Sequence, residues 1–120
     1  MVVRVAPSPR LGGVASVGDL DITLEDLPEG GTLVRIDGEL DLATVGKLEE
    51  ALGRASKPLV IDMTQCGFLD SSALRVLLAT ATKAEGAVDL VAPDPGVRRV
   101  LEIAGLDTIV RIHSTVAEAL

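Results

Sequence analysis

The chain has 120 residues, 48% of them hydrophobic, and a formal net charge of −7 at pH 7, which together favour a single domain around one core. The acidic charge and the lack of a basic stripe argue against direct binding to nucleic acid, which requires clustered Lys and Arg to neutralise phosphates. The apolar runs are far shorter than the roughly 20 residues that cross a bilayer, and the N-terminus lacks the apolar stretch of a secretory signal, so we expect a cytoplasmic protein without membrane insertion.

The first predicted elements are two strands of an antiparallel hairpin. Residues 1–18 mix proline and glycine without a sustained period, which predicts a flexible N-terminal segment and a folded domain over 19–120. Apolar and polar residues then alternate over 20–24, as is typical of a strand with one buried face. A proline- and glycine-containing turn at 28–31 separates this strand from a second one over 32–40.

Helices and strands alternate in the remainder of the chain. Apolar residues at helical spacing follow Asp41, the apolar run 59–61 predicts a strand covered on both faces, and a second helix follows Asp70. The last predicted elements are a strand at 88–92, a helix that begins at Asp94 and Pro95, a strand at 109–112 and a short helix that Thr115 and Glu118 open. This order predicts one α/β domain with a mostly parallel central sheet, an N-terminal antiparallel hairpin strand and about four helices.

Residue patterns that indicate catalysis or cofactor binding are missing from the sequence. Cys66 and His113 are each the only residue of their type, so neither an internal disulfide nor a zinc site built from Cys and His is expected. Gly46 and Lys47 lack the flanking residues of a phosphate-binding loop. We therefore predict no cofactor, no metal and no enzymatic activity.

The residues Asp70, Ser71 and Ser72 stand between a predicted buried strand and the second helix. Functional residues of α/β folds concentrate in loops that follow parallel strands. Three consecutive residues that favour helix caps also begin a helix without any further role. The residues by themselves leave both interpretations open.

Three segments of the sequence resemble the STAS domain family. The segment Ile61–Leu74 resembles the phosphorylation loop of these domains, Gly38–Asp41 resembles the end of their second strand, and Pro95–Leu106 resembles their third-helix region. The similarity runs in order from about Leu20 to the C-terminus and implies a STAS-like fold.

This resemblance implies the function of a stand-alone anti-sigma factor antagonist. In such proteins the first Ser after the Asp is phosphorylated by an anti-sigma factor that is itself a serine kinase, and in this sequence that residue is Ser71. The unmodified protein would bind the kinase and release its sigma factor, phosphorylation of Ser71 would switch this binding off, and a phosphatase would reset it. Ala73 departs from the family pattern, which commonly has Gly at this position.

The partner-binding residues that the resemblance implies are Asp41, Asp70, Ser71, Ser72 and Arg75. Asp41 has a second interpretation as the N-cap of the first helix, and Arg75, four residues after Ser71, is either a contact for the phosphate or a solvated side chain. A different class of function also remains open, in which an unphosphorylated STAS domain serves as a scaffold or accessory subunit of a lipid-transport or stress-signalling complex.

Overall fold

The computed structural model describes the backbone of residues 2–5 and the whole of residues 20–120, and the fold is given for these residues. The strands are β1 (Val2–Val5), β2 (Asp21–Asp26), β3 (Thr32–Leu40), β4 (Leu59–Leu69), β5 (Val88–Val91) and β6 (Arg111–His113). The α helices are α1 (Val45–Arg54), α2 (Ser71–Lys83), α3 (Pro95–Ile103) and α4 (Val116–Ala119), and a short 3-10 helix covers Leu106–Thr108.

One sheet contains all six described strands, and its spatial order β1-β2-β3-β4-β5-β6 follows the chain. The pairs β1–β2 and β2–β3 are antiparallel, whereas the three later pairs are parallel. The predicted mixture of an antiparallel N-terminal part and a parallel remainder is confirmed, and so is the predicted order of elements from β2 to α4.

Strand β1 was not expected from the sequence. Its four residues pair with β2 in the register Val2↔Glu25 to Val5↔Ile22. Three of the four are the β-branched residue Val, which favours strands, but four residues are too few for a periodic pattern, and proline and glycine interrupt the rest of the segment. Residues 2–5 of the predicted N-terminal segment 1–18 therefore form an edge strand, and its residues 6–18 lie outside the described part of the chain.

The larger part of the core lies between the sheet and helices α1, α2 and α3. Buried side chains of the sheet contact the buried apolar side of each helix, for example Leu48 of α1, Leu77 of α2 and Leu101 of α3. The opposite face of the sheet carries a smaller cluster, in which Leu33, Val60 and Val91 lie beneath α4. Helices α1 to α3 therefore share one face of the sheet, as right-handed crossovers between successive parallel strands require.

Strand β4 is longer than its apolar sequence predicts. It continues past the buried apolar residues to Leu69 because it pairs with β3 as far as Leu40↔Leu69. Two register shifts, opposite Arg35/Asp37 and Gly38/Glu39 of β3, each place one extra residue in β4. Much of the segment that resembles a phosphorylation loop is consequently strand, and the step from strand to helix is reduced to Asp70.

Candidate functional site

The candidate site lies where the paired strands β3 and β4 end, at the N-terminus of α2. The backbone N–H of Asp70 donates a hydrogen bond of 3.0 Å to the carbonyl oxygen of Leu40, which joins the segment after β4 to the end of β3. The backbone of Leu42 also lies near enough to the Asp70 carboxyl to lower its pKa. These contacts hold Asp41, Leu42 and the start of α2 together on one edge of the sheet.

Asp70 is the N-cap of α2, as the sequence predicts. Its backbone is extended, and its Oδ1 atom accepts hydrogen bonds from the N–H groups of Ser72 at 2.9 Å and Ala73 at 3.3 Å. The same oxygen accepts from the Ser72 hydroxyl at 2.5 Å. The carboxylate thereby satisfies donors in the first turn that have no partner within the helix.

The Asp70 carboxyl is held in its ionised form by these donors. The Ser72 hydroxyl makes the largest contribution to a lowered pKa, and the N–H groups of Ala73, Ser72 and Leu42 lower the pKa further. A negative charge therefore lies next to Ser71 in the unmodified protein.

We expect the Ser72→Ala substitution to raise the pKa of Asp70 towards its ordinary value of about 3.9, because it removes the strongest donor. A lowered native pKa stabilises the fold above the unfolded pKa, and this stabilisation is lost as pH falls through the native pKa. Ser72→Ala should therefore be less stable than wild type at pH 7, and the difference should shrink below pH of about 4. An NMR titration of the Asp70 carboxyl carbon and urea unfolding at several pH values measure both effects.

Ser71→Ala is the matched control for this prediction, since it removes a neighbouring hydroxyl that does not contact Asp70. It should leave the pKa of Asp70 unchanged. An equal rise in both variants would show that the Ser72 hydrogen bond is not the cause.

The two serines of the site differ in what their hydroxyl groups contact. Ser71 is exposed as the first residue of α2, and among the described residues its hydroxyl has no hydrogen-bond partner. Ser72 is partly buried, and its hydroxyl is bound to Asp70. Ser71 is thus the serine whose oxygen is available to an external group.

Asp41 begins the turn before α1, and the helix itself begins later than predicted. Its carboxylate accepts from the N–H groups of Ala43 at 2.9 Å and Thr44 at 3.1 Å, while the Thr44 hydroxyl accepts from the N–H of Asp41 at 2.9 Å. This reciprocal pair has the form of a capping box. The prediction of Asp41 as the N-cap of α1 is corrected, because α1 starts at Val45 with Thr44 as its N-cap.

Arg75 lies one turn after Ser71 on α2, and it lines a groove between α1 and α2. It is exposed, and no hydrogen bond or ion pair joins it to another described residue. The structure therefore brings Asp41, Asp70, Ser71 and Ser72 together, whereas Arg75 is placed beside them without a contact.

Two exposed apolar side chains flank this edge of the sheet, and the sequence analysis missed both. Leu42 is 79% exposed in the turn after β3, and Phe68 is 49% exposed near the end of β4. Phe68 pairs with Glu39 and so lies next to the segment that leads to Leu42. In the sequence, neither residue belongs to the apolar pattern of a predicted helix or strand, and this could have indicated their exposure. Exposed apolar residues that cluster mark interaction sites.

Cys66 and His113 have structural contacts. Cys66 is buried, its thiol donates to the carbonyl oxygen of Phe68 at 3.3 Å, and burial raises the pKa of this thiol. His113 Nε2 lies 2.9 Å from Oδ1 of Asp89, which also accepts from Arg111 at 2.8 Å. Both residues therefore have local roles in packing and hydrogen bonding.

The described residues contain neither a candidate metal-binding cluster nor a candidate membrane-spanning helix. Across 2–5 and 20–120, no group of three or more His, Cys, Asp and Glu side chains is placed to hold a metal ion. No helix in the same residues has the length and apolar character needed to pass through a lipid bilayer.

Comparisons with known proteins agree with this fold. The sequence profile described as "STAS domain" matches residues 23–119. The anti-sigma-F factor antagonist RsfB of Mycobacterium tuberculosis is 38% identical over 107 residues, which cover 84% of this chain and 87% of that protein.

Two solved structures are also similar. A crystal structure of an anti-sigma factor antagonist from Mycobacterium paratuberculosis aligns with a TM-score of 0.76 and 32% identity, covering 84% of this chain and 91% of that one. The anti-sigma factor antagonist SpoIIAA in its unphosphorylated form aligns with a TM-score of 0.63 and 25% identity, covering 82% and 91%. From the profile match over most of the chain and the similarity to RsfB, we conclude that this chain belongs to the STAS domain family.

Proposed function

We propose that the protein is an anti-sigma factor antagonist that binds an anti-sigma factor kinase, releases the sigma factor and is switched off when Ser71 is phosphorylated. The similar proteins RsfB and SpoIIAA carry the name of anti-sigma factor antagonists, which are regulatory proteins. The observation on which the switch depends is the exposed, unbound hydroxyl of Ser71 beside the capped carboxylate of Asp70.

The contrast between the two serines supports Ser71 as the phosphate acceptor. A hydroxyl that attacks a phosphoryl group must reach the kinase active site and give up its proton there. The Ser72 hydroxyl would first have to leave Asp70, and α2 would lose part of its cap. The Ser71 hydroxyl can be presented without breaking any described hydrogen bond.

The exposed apolar side chains supply a binding surface around this acceptor. Leu42 and Phe68 offer the kind of area that is buried at the centre of a protein interface, and both lie at the edge of the sheet that carries Asp70 and Ser71. An anti-sigma kinase that covers this edge would bury the Ser71 hydroxyl within the contact.

Phosphorylation would then oppose binding through charge. A phosphoserine at position 71 adds about 1.5 to 2 negative charges at neutral pH next to the ionised Asp70. In the free protein the first turn of α2 tolerates the phosphate, because Ser71 is exposed and the helix dipole favours an anion there. The modification should consequently change binding and leave folding intact, until a phosphatase removes it.

Ala73 is compatible with this mechanism. It lies within the first turn of α2, and its side chain is fully buried in the core, on the side of the helix away from the exposed Ser71. The methyl group that replaces the family's usual glycine therefore packs inside the protein and leaves access to the acceptor open.

Phosphate mapping tests the proposal directly. After incubation with the cognate anti-sigma kinase and ATP, we expect one phosphate on Ser71 in the wild type and in Ser72→Ala, and none in Ser71→Ala. Mass spectrometry of the digested proteins gives the position. Phosphate on Ser72 would contradict the assignment, and phosphate on neither serine would favour the function of an unphosphorylated scaffold.

A further inference from the structure

A groove of about 540 Å³ lies between α1 and α2, away from Ser71, and it reaches the start of β4. Its floor is apolar and made largely of small or branched side chains, namely Leu52, Ala55, Leu59, Val76 and Ala79. A volume of this size is within the range of small-molecule sites in proteins, about 300–1,000 Å³.

Gly53 keeps the groove open from the side of α1. It lies near the end of the helix, lines the groove, and no atom lies within 4 Å of the position that a Cβ would occupy. Alanine has a higher helix propensity than glycine. The helix therefore has no side chain at this position, although there is room for one.

Positive charge surrounds this apolar floor. Lys57, Arg75 and Lys83 line the groove, whereas Glu49 is the acidic residue among the described lining residues. No hydrogen bond or ion pair joins any of the three cations to another described residue, which contrasts with Arg54 and its ion pair with Glu50 at 2.9 Å. A cluster of unpaired cations is unexpected in a chain with a net charge of −7.

The cations are spaced along one side of α2. Arg75 and Lys83 are eight residues apart, which corresponds to about 12 Å along the helix axis, and Ala79 lies between them at the i+4 position. A small apolar side chain between two cations gives an apolar track with a positive charge at either end. A molecule with an apolar tail and one anionic head can pair its head with the cation at one end of this track and lay its tail along the apolar side chains.

We propose that the groove binds a monomeric, single-chain amphiphile with a carboxylate head, of which a fatty acid is the simplest example. The tail would lie on the apolar floor, and the cations on the rim would pair with the carboxylate, for which a guanidinium such as that of Arg75 is well shaped. Twelve described residues line the groove, fewer than the roughly 20–30 that each partner contributes to a stable protein interface. The occupant is therefore a small molecule, and the groove shares only Arg75 with the residues assigned to the Ser71 switch.

Titration of the ¹⁵N-labelled full chain with decanoate tests this proposal. With decanoate kept below the concentration at which it forms micelles, we expect saturable shifts of the amide signals of Leu52, Ala79 and Ala84, which line the groove. Acetate, which lacks the tail, and decyltrimethylammonium, which reverses the charge, should cause no such shifts. Equal binding of decyltrimethylammonium, or binding to anionic phospholipid vesicles without binding of monomeric decanoate, would overturn the proposal.

Substitutions that fill the groove test where decanoate binds. Gly53→Leu should fill the groove and abolish the shifts, while Gly46→Leu makes the same change in the same helix at another position without neighbours within 4 Å and should retain them. Ala79→Leu blocks the groove independently from α2. Unchanged binding in Gly53→Leu and Ala79→Leu, with the native amide spectrum preserved, would overturn the site.

The cations provide the second comparison. Arg75→Gln, which removes the cation that pairs with the carboxylate, should weaken decanoate binding on the order of threefold, as expected for one exposed charge pair, and Lys83→Gln at the other end of the track should weaken it less. Arg99→Gln, on the exposed surface of α3, should have no effect. An equal loss in Arg99→Gln would mean that net charge, and not the rim of the groove, attracts the carboxylate.

Discussion

Ser71→Asp is expected to weaken binding to the anti-sigma kinase by about a hundredfold or more, while Ser71→Ala retains near wild-type affinity. A carboxylate at this position lies beside the ionised Asp70, inside the contact that we propose for the unmodified protein and its neutral hydroxyl. Like charges and unpaired anions in an interface cost several kcal/mol, and each factor of ten in affinity corresponds to about 1.4 kcal/mol. Isothermal titration calorimetry with the purified partner measures the loss.

Ser71→Asn separates charge from size, because asparagine has nearly the shape of aspartate and no charge. It should bind far more tightly than Ser71→Asp. Thr82→Asp places the same new charge on the exposed far end of α2 and should leave binding unchanged. An equal loss in Ser71→Asn would show that steric exclusion, and not repulsion, governs release.

The thermal midpoint of Ser71→Asp gives an independent control on the mechanism. An acidic side chain in the first turn of a helix interacts favourably with the helix dipole, so the midpoint should equal or slightly exceed that of the wild type. A lower midpoint would indicate that the substitution acts by unfolding α2, and the binding loss would then need a different explanation.

The sequence predicts those parts of the fold that local rules determine. Asp70 and Asp94 are both N-caps, as their positions before apolar helical stripes indicate, and Asp94 accepts from the N–H of Val97 at 2.9 Å. The register and extent of the strands depend on partners distant in the chain. Strand β1 needs β2, and the extension of β4 to Leu69 needs β3 with its two register shifts.

The candidate site shows the same division between local and non-local information. Three consecutive residues that favour caps made the start of α2 predictable, but only the family resemblance, and no local rule, distinguished the two serines. The difference arises because Ser72 is oriented back towards Asp70, whereas Ser71 precedes it on the exposed side of the turn. The groove between α1 and α2 was not predictable, since it requires the relative placement of two helices that are separated by a whole strand.

Gly31→Ala is expected to destabilise the fold by about 3 kcal/mol or more, which is a large part of the stability of a small domain. Gly31 lies in the turn between β2 and β3 with φ of +97°, and an added Cβ would overlap the carbonyl oxygen of Pro58 and lie 2.9 Å from its Cδ. The same carbonyl accepts from the N–H of Thr32 at 3.0 Å where β3 meets the start of β4. The methyl group must therefore displace backbone that aligns two central strands.

Gly30→Ala is the matched control, because Gly30 has nearly the same backbone angle, φ of +98°, and no atom within 4 Å of a Cβ. Both substitutions carry the strain of a side chain at positive φ, on the order of 1–3 kcal/mol, so the difference between them isolates the contact with Pro58. Urea unfolding should show Gly31→Ala less stable than Gly30→Ala by about 1–3 kcal/mol, the usual cost of overpacking. Equal losses of stability in the two variants would mean that Pro58 can move away without an energetic cost. Backbone conformation alone would then require glycine in this turn.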